Sequence, residues 1–102
     1  MTAPLSNIKT RAEFQRILKQ TRQEMAKLAE AEPLHPLWKS MLAQLKAMEE
    51  WTKDGRVPTQ EERDRIILGV QVVRELEPVD SDAMYDLTQR LHELQYFFQE
   101  HL

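Results

Sequence analysis

The sequence predicts an all-α fold, a compact bundle of about four antiparallel helices, and three observations carry that expectation. Only two of the 102 residues are glycine, and helix formers dominate, which leaves little material for a sheet with tight hairpins. Three proline-containing breaks divide the chain: Glu32-Pro33-Leu34-His35-Pro36, Asp54-Gly55-Arg56-Val57-Pro58 and Glu77-Pro78-Val79-Asp80. Proline lacks the N–H that a helix interior needs and pushes the preceding residue out of helical geometry. Between the breaks, apolar residues return at helical spacing. The connections are short, so successive helices should run antiparallel. The helices fall at roughly 10–30, 36–53, 59–77 and 80–101, with residues 1–9 a loosely ordered lead-in and 10–102 a single helical domain.

The first helix starts at Thr10, whose hydroxyl can accept the N–H of Glu13 while Glu13 reaches back, the reciprocal pairing of a capping box. Phe14, Ile17, Leu18, Thr21, Met25, Leu28 and Ala29 then form one stripe about 120° wide. The second helix carries Pro36 in its first turn, where a missing N–H costs nothing. Its stripe is Leu37, Trp38, Met41, Leu42, Leu45, Met48 and Trp51, with Leu42 and Trp51 at the margins. Thr59 and Glu62 make a second capping box and open the third helix. There Ile66, Gly69, Val70, Val73 and Leu76 share one face while Leu68 and Val72 lie opposite, which predicts a central helix covered on two sides. Gly69 in its middle costs about 1 kcal/mol against alanine and is best explained by a close helix–helix approach. The fourth helix starts near Asp80, with Asp82 at the positive end of its dipole. Met84, Leu87, Leu91, Leu94, Phe98 and Leu102 make its stripe.

Composition excludes several function classes. The formal net charge is −3, against a general nucleic-acid binder. The first helix does hold Lys9, Arg11, Arg16, Lys19, Arg22 and Lys27, but Glu13 and Glu24 interrupt the run and no aromatic residues interleave for base stacking. No apolar run approaches the ~18 residues that cross a bilayer, Met1 to Thr10 has no signal-peptide stretch, and a cytoplasmic protein without membrane contact is expected. There is no cysteine, hence no thiolate or disulfide. Glu32-Pro33-Leu34-His35 has the Glu-x-x-His spacing of di-metal bundles, but prolines break its helical turn and only one copy exists. Lys53-Asp54-Gly55-Arg56 reads as a turn rather than a phosphate loop. No catalytic constellation, metal site or cofactor is expected, and the chain is not expected to be an enzyme.

Charge is unevenly spread. Residues 1–53 hold 9 basic and 6 acidic side chains, residues 54–102 hold 5 and 11. The acidity gathers at Glu75, Glu77, Asp80, Asp82 and Asp86, where the third and fourth helices join. Such a corner can steer a basic partner and speed its association. On the fourth helix Tyr85, Gln89, His92 and Tyr96 turn away from the apolar stripe. Tyrosine is enriched at interfaces because it offers apolar area and a hydrogen bond together. These nine residues form the expected partner interface, set against the plainer possibility of a solvated or internally packed strip.

The segments Ile67-Leu68-Gly69-Val70, Val72-Val73-Arg74-Glu75-Leu76 and Glu77-Pro78-Val79-Asp80 resemble a known family. So does the Trp38 to Trp51 helix with Gln44-Leu45 midway. The family is the small all-helical immunity proteins of type VI secretion systems, whose best-known type neutralises an NAD(P)-glycohydrolase effector. The resemblance covers approximately residues 37–95 and leaves the role of the first helix open. It implies an inhibitor that binds a cognate antibacterial effector toxin, occludes its active site and carries no chemistry of its own. The alternative is a helical adaptor or dimerisation module with no toxin partner, built through the outer faces of the third and fourth helices; a metal-binding or enzymatic bundle ranks third.

Overall fold

A computed structural model describes residues 8–76 and 81–102. It is an all-α bundle on a four-helix plan, and among the described residues there is no strand. The elements are α1 (Arg11–Ala31), α2 (Pro36–Trp51), α3 (Gln60–Asp64), α4 (Leu68–Gln71) continued by a π-helical turn (Val72–Leu76), and α5 (Asp82–Glu100). Glu77, Pro78, Val79 and Asp80 lie outside the described residues, as do residues 1–7. Ile8, placed in the lead-in by the sequence, is buried in the core.

Both expected capping boxes are present, Thr10 with Glu13 and Thr59 with Glu62. They satisfy N–H groups that a helix start leaves free. Ser81 caps α5 by accepting the Met84 N–H at 3.1 Å. The stripes of α1 and α2 fall inward as predicted, with Leu28, Ala29, Leu42 and Trp51 half-buried at their edges. On α5 the core face is Leu87, Leu91, Leu94 and Phe98, joined by Phe97, which the stripe had left out. Gln15 donates to the Thr52 hydroxyl at one end of the α1–α2 pair, and the Trp38 indole donates to Glu32 at the other, so α2 runs back along α1. α5 does the same on the other side of α1: Phe14 stacks on Phe97 with ring centroids 5.3 Å apart, and further along Arg90 reaches Glu24.

The third helix is not one helix. An unbroken helix would put Ile66 and Leu68 about 200° apart, so both could not enter the same core. The chain instead leaves helical geometry at Ile67 (φ −125°, ψ 28°), and Ile66, Leu68 and Val72 all turn inward. Two consecutive β-branched residues, Ile66 and Ile67, make that break cheap. The expectation of a central helix covered on two sides is therefore overturned: Ile67, Val70 and Val73 are left at the surface.

α3 is tied to the far end of α5. The Arg63 guanidinium donates to the carbonyls of Phe98, Gln99 and Leu102, and Gln99 donates back to the carbonyls of Arg63 and Ile66. Arg63 thus fills the role of a C-terminal helix cap, where a cation is favoured by the dipole. The Asp54-Gly55 segment is a turn with both residues at positive φ, 56° and 82°. Arg11 fastens it by donating to the carbonyls of Thr52 and Arg56. That gives one basic residue of α1 a structural task, and Arg22 has another, pairing with Glu49 of α2.

Candidate partner-binding face

The start of α4 is secured from both sides by glutamines. Gln44 of α2 accepts the Ile67 N–H at 2.7 Å, and Gln95 of α5 accepts the Gly69 N–H at 2.7 Å. Gln44 also donates to Gln71, and Gln71 donates to the Ser40 hydroxyl. Free N–H groups at a helix start are normally met by the preceding residue's own side chain. Here neighbouring helices supply the acceptors, which fixes α4 against α2 and α5 without burying its outer face.

At Gly69, α4 lies close against side chains of α5. A Cβ built there would stand 3.2 Å from His92 Nδ1 and 3.5 Å from Gln95 Oε1. The expected close approach is thus present, made to side chains rather than to backbone. A shallow groove of about 400 Å³ lies beside Gly69 between α4 and α5. Val70, Val73 and Arg74 form one wall, and His92 and Gln95 the other. Val70 is 49% exposed and Val73 54%. A π turn widens the helix by one residue and often marks a functional segment; this one carries Val73 and Arg74.

The residues expected from sequence do not all share one face. Tyr85, Gln89, His92 and Tyr96 follow one another at three- and four-residue spacing on the outer side of α5, next to the groove. Tyr85 is 46% exposed and Tyr96 55%, the latter with its ring edge-on to His101. Asp82, in the first turn of α5, is exposed on the same outer side. Asp86 is exposed at the edge of that side, where it accepts from Arg90 of its own helix at 3.1 Å. Glu75 lies on the α2 side of α4, in a separate pocket with His35, Ser40 and Gln71. Glu77 and Asp80 lie outside the described residues. Sequence reasoning placed Val70 and Val73 on a covered face and assigned Ile67 to no face, so it missed their exposure. The two-sided apolar pattern of that segment was the available signal.

Electrostatics separates the α1 side of α5 from the groove side. Arg90 holds Glu24 through two hydrogen bonds of 2.7 and 2.8 Å and also donates to the buried Thr21 hydroxyl. Hydrogen bonding to Arg90 lowers the Glu24 carboxyl below its ordinary pKa against an opposing desolvation cost. Burial works against the Arg90 charge, but Glu24 and Asp86 outweigh it and raise its pKa.

Among the described residues no three histidine, aspartate or glutamate side chains gather as metal ligands. Glu32, of the Glu-x-x-His segment, accepts from the Trp38 indole at 2.6 Å, and His35 stacks on Trp38 at 4.7 Å. Among the described residues no helix is long and apolar enough to cross a membrane.

No curated protein and no solved structure matches the chain. A sequence model of one family does, Tsi6, and the match extends from residue 9 to residue 100. It takes in every described helix, including α1, which the resemblance seen in the sequence had left unassigned. The chain belongs to the Tsi6 family of type VI secretion immunity proteins.

Proposed function

We propose that this protein protects by binding: it recognises the toxin domain of a cognate effector and occludes that domain's active site. Its own chemistry is none, and it acts in the cytoplasm of the producing cell or of injected kin. The toxin is an NAD(P)-glycohydrolase, the target of the family's best-known type. The observation that carries this reading is a face on which Val70, Val73, Tyr85 and Tyr96 are open to water while the helices beneath are fully packed. Apolar and tyrosyl side chains clustered at the surface of a small domain mark an interaction site. Enclosed by a partner, two tyrosines supply area and hydrogen bonds at low entropic cost.

The test is co-production. The gene for an effector with a C-terminal toxin domain should lie directly upstream, and its product should kill cells unless this protein is present. The purified pair should form a complex in which NAD(P) hydrolysis is suppressed. A toxin that kills equally with and without the protein would end the immunity reading, and a suppressed activity other than NAD(P) hydrolysis would correct the toxin class alone.

The same face would suit a second copy of the chain, since Val70 and Val73 are unpaired apolar groups on one side. Light scattering on the isolated protein separates the two readings. A monomer that becomes a one-to-one complex with toxin supports immunity by direct binding; a dimer that ignores toxin supports the adaptor.

A further inference from the structure

The chain is acidic overall and most acidic in its second half, which suggests a basic partner everywhere. The groove between α4 and α5 has the opposite local sign. Of the six described residues that line it, Gly69, Val70, Val73, Arg74, His92 and Gln95, the only one with a permanent charge is Arg74. The nearest acidic neighbour in sequence, Glu75, is turned to the α2 side, and Asp86 is engaged with Arg90 of its own helix. Among the described residues no carboxylate pairs with Arg74. The apolar part of the lining is Val70 and Val73, both about half exposed, which offer a surface for an aliphatic group of a few carbons. Gln95 is committed to the Gly69 N–H, so it contributes a wall rather than a free hydrogen-bonding group at its oxygen.

We infer that this groove receives a segment of the partner protein that carries an aliphatic side chain beside a carboxylate. The aliphatic group seats against Val70 and Val73, and the carboxylate pairs with the Arg74 guanidinium at the rim. This rests on the reading that a toxin docks on this face, and it adds which chemistry of the toxin is recognised there. The acidic residues at the surface of α5 then serve encounter, and Arg74 serves register. A planar guanidinium suits that task because it binds a carboxylate through two parallel hydrogen bonds, which an ammonium cannot do.

The experiment measures binding of the full chain to the toxin domain encoded beside it, together with protection of cells, for wild type, Arg74→Glu, Arg74→Lys and Val73→Asp. Circular dichroism melting of each variant shows that the fold is retained, since both side chains are exposed. Expected is a loss of roughly tenfold or more for Arg74→Glu, only partial retention for Arg74→Lys, and a larger loss for Val73→Asp. Equal or tighter binding by Arg74→Glu overturns the inference, because it would mean that a neutral or basic segment occupies the groove. A wild-type chain that neither binds nor protects overturns the immunity reading and the inference with it. Wild-type protection that survives both Arg74→Glu and Val73→Asp overturns the inference alone. A dimer that Val73→Asp dissociates while toxin binding persists assigns the groove to a second copy and overturns it too.

Discussion

Helix α5 has two sides that are built on opposite principles. Toward α1, every strong group has a partner: Phe14 lies against Phe97 and Phe98, and Arg90 is shared among Glu24, Thr21 and Asp86. Toward α4, the backbone is secured by glutamine acceptors while valines and a glycine-lined groove face water. A seam with all its groups engaged contributes stability, and changes there should be read in the melting curve. If the α4 side serves recognition as proposed, changes there should be read in binding.

The largest effect expected is at the seam. Phe14→Ala removes a fully buried ring and should cost about 3–5 kcal/mol by chemical denaturation, with little change in the slope of the transition. A loss under about 1 kcal/mol would show that the α1–α5 seam is not the centre of the core. Arg90→Met should cost less, about 1–2 kcal/mol, because Glu24 loses its guanidinium donor but keeps Gln20, and its side chain is 41% exposed and can rehydrate.

Acid adds a signature to the same pair. The carboxyl of Glu24 is lowered first by its hydrogen bonds from Arg90, that of Glu13 by the Lys9 N–H, and that of Glu62 by the Arg56 guanidinium. A folded-state pKa below the unfolded one gives stability that is complete above the unfolded value, about 4.3 for glutamate, and is lost as pH falls through the folded value. Stability should therefore be level from neutral down to about pH 5 and decline below it. Denaturant midpoints across that range, with and without Arg90→Met, should show a shallower acid decline in the variant. Equal slopes would mean the pair has no part in it.

On the groove side the expected stability effects shrink. Gln95→Leu leaves the Gly69 N–H without its acceptor in a half-buried setting and should cost about 1 kcal/mol. Because α4 then loses one of its two anchors, toxin binding should weaken more than stability does. Tyr96→Ala should change stability by no more than about 0.5 kcal/mol, since the side chain is exposed, and should still weaken the complex. A melting loss at Tyr96 as large as that at Arg90 would erase the distinction between the two sides.

How far the molecule was legible depended on whether a helical wheel applied. For α1, α2 and α5 the apolar stripe keeps one phase from end to end, and the capping residues Thr10 and Thr59 were visible as sequence patterns. Even the half-buried margins at Leu42 and Trp51 followed from phase. Between Thr59 and Leu76 the wheel failed, because it assumes an unbroken helix. The break at Ile67 depends on burying Ile66 and Leu68 together and on an acceptor from Gln44, which is a tertiary contact. Gln44 had been noticed only as part of the family resemblance, and its hydrogen bonds now give it a physical role. The tyrosines were legible as a departure from the α5 stripe. The sorting of Glu75 onto a different side from Asp82 and Asp86 was not, since a tally of charge carries no direction. The close approach at Gly69 was legible from its cost, but not the shallow groove that Val70, Val73 and Arg74 line beside it.

The central claim is that the outer α4–α5 face acts through contact and not through stability. The double variant Val73→Asp, Tyr96→Ala tests it most directly, with affinity for the neighbouring toxin domain and melting temperature measured on the same preparation. The account predicts a melting temperature within about 2 °C of wild type and binding weakened at least ~100-fold, with protection of cells lost. Wild-type affinity in that variant, or an affinity loss that only tracks unfolding, would contradict it.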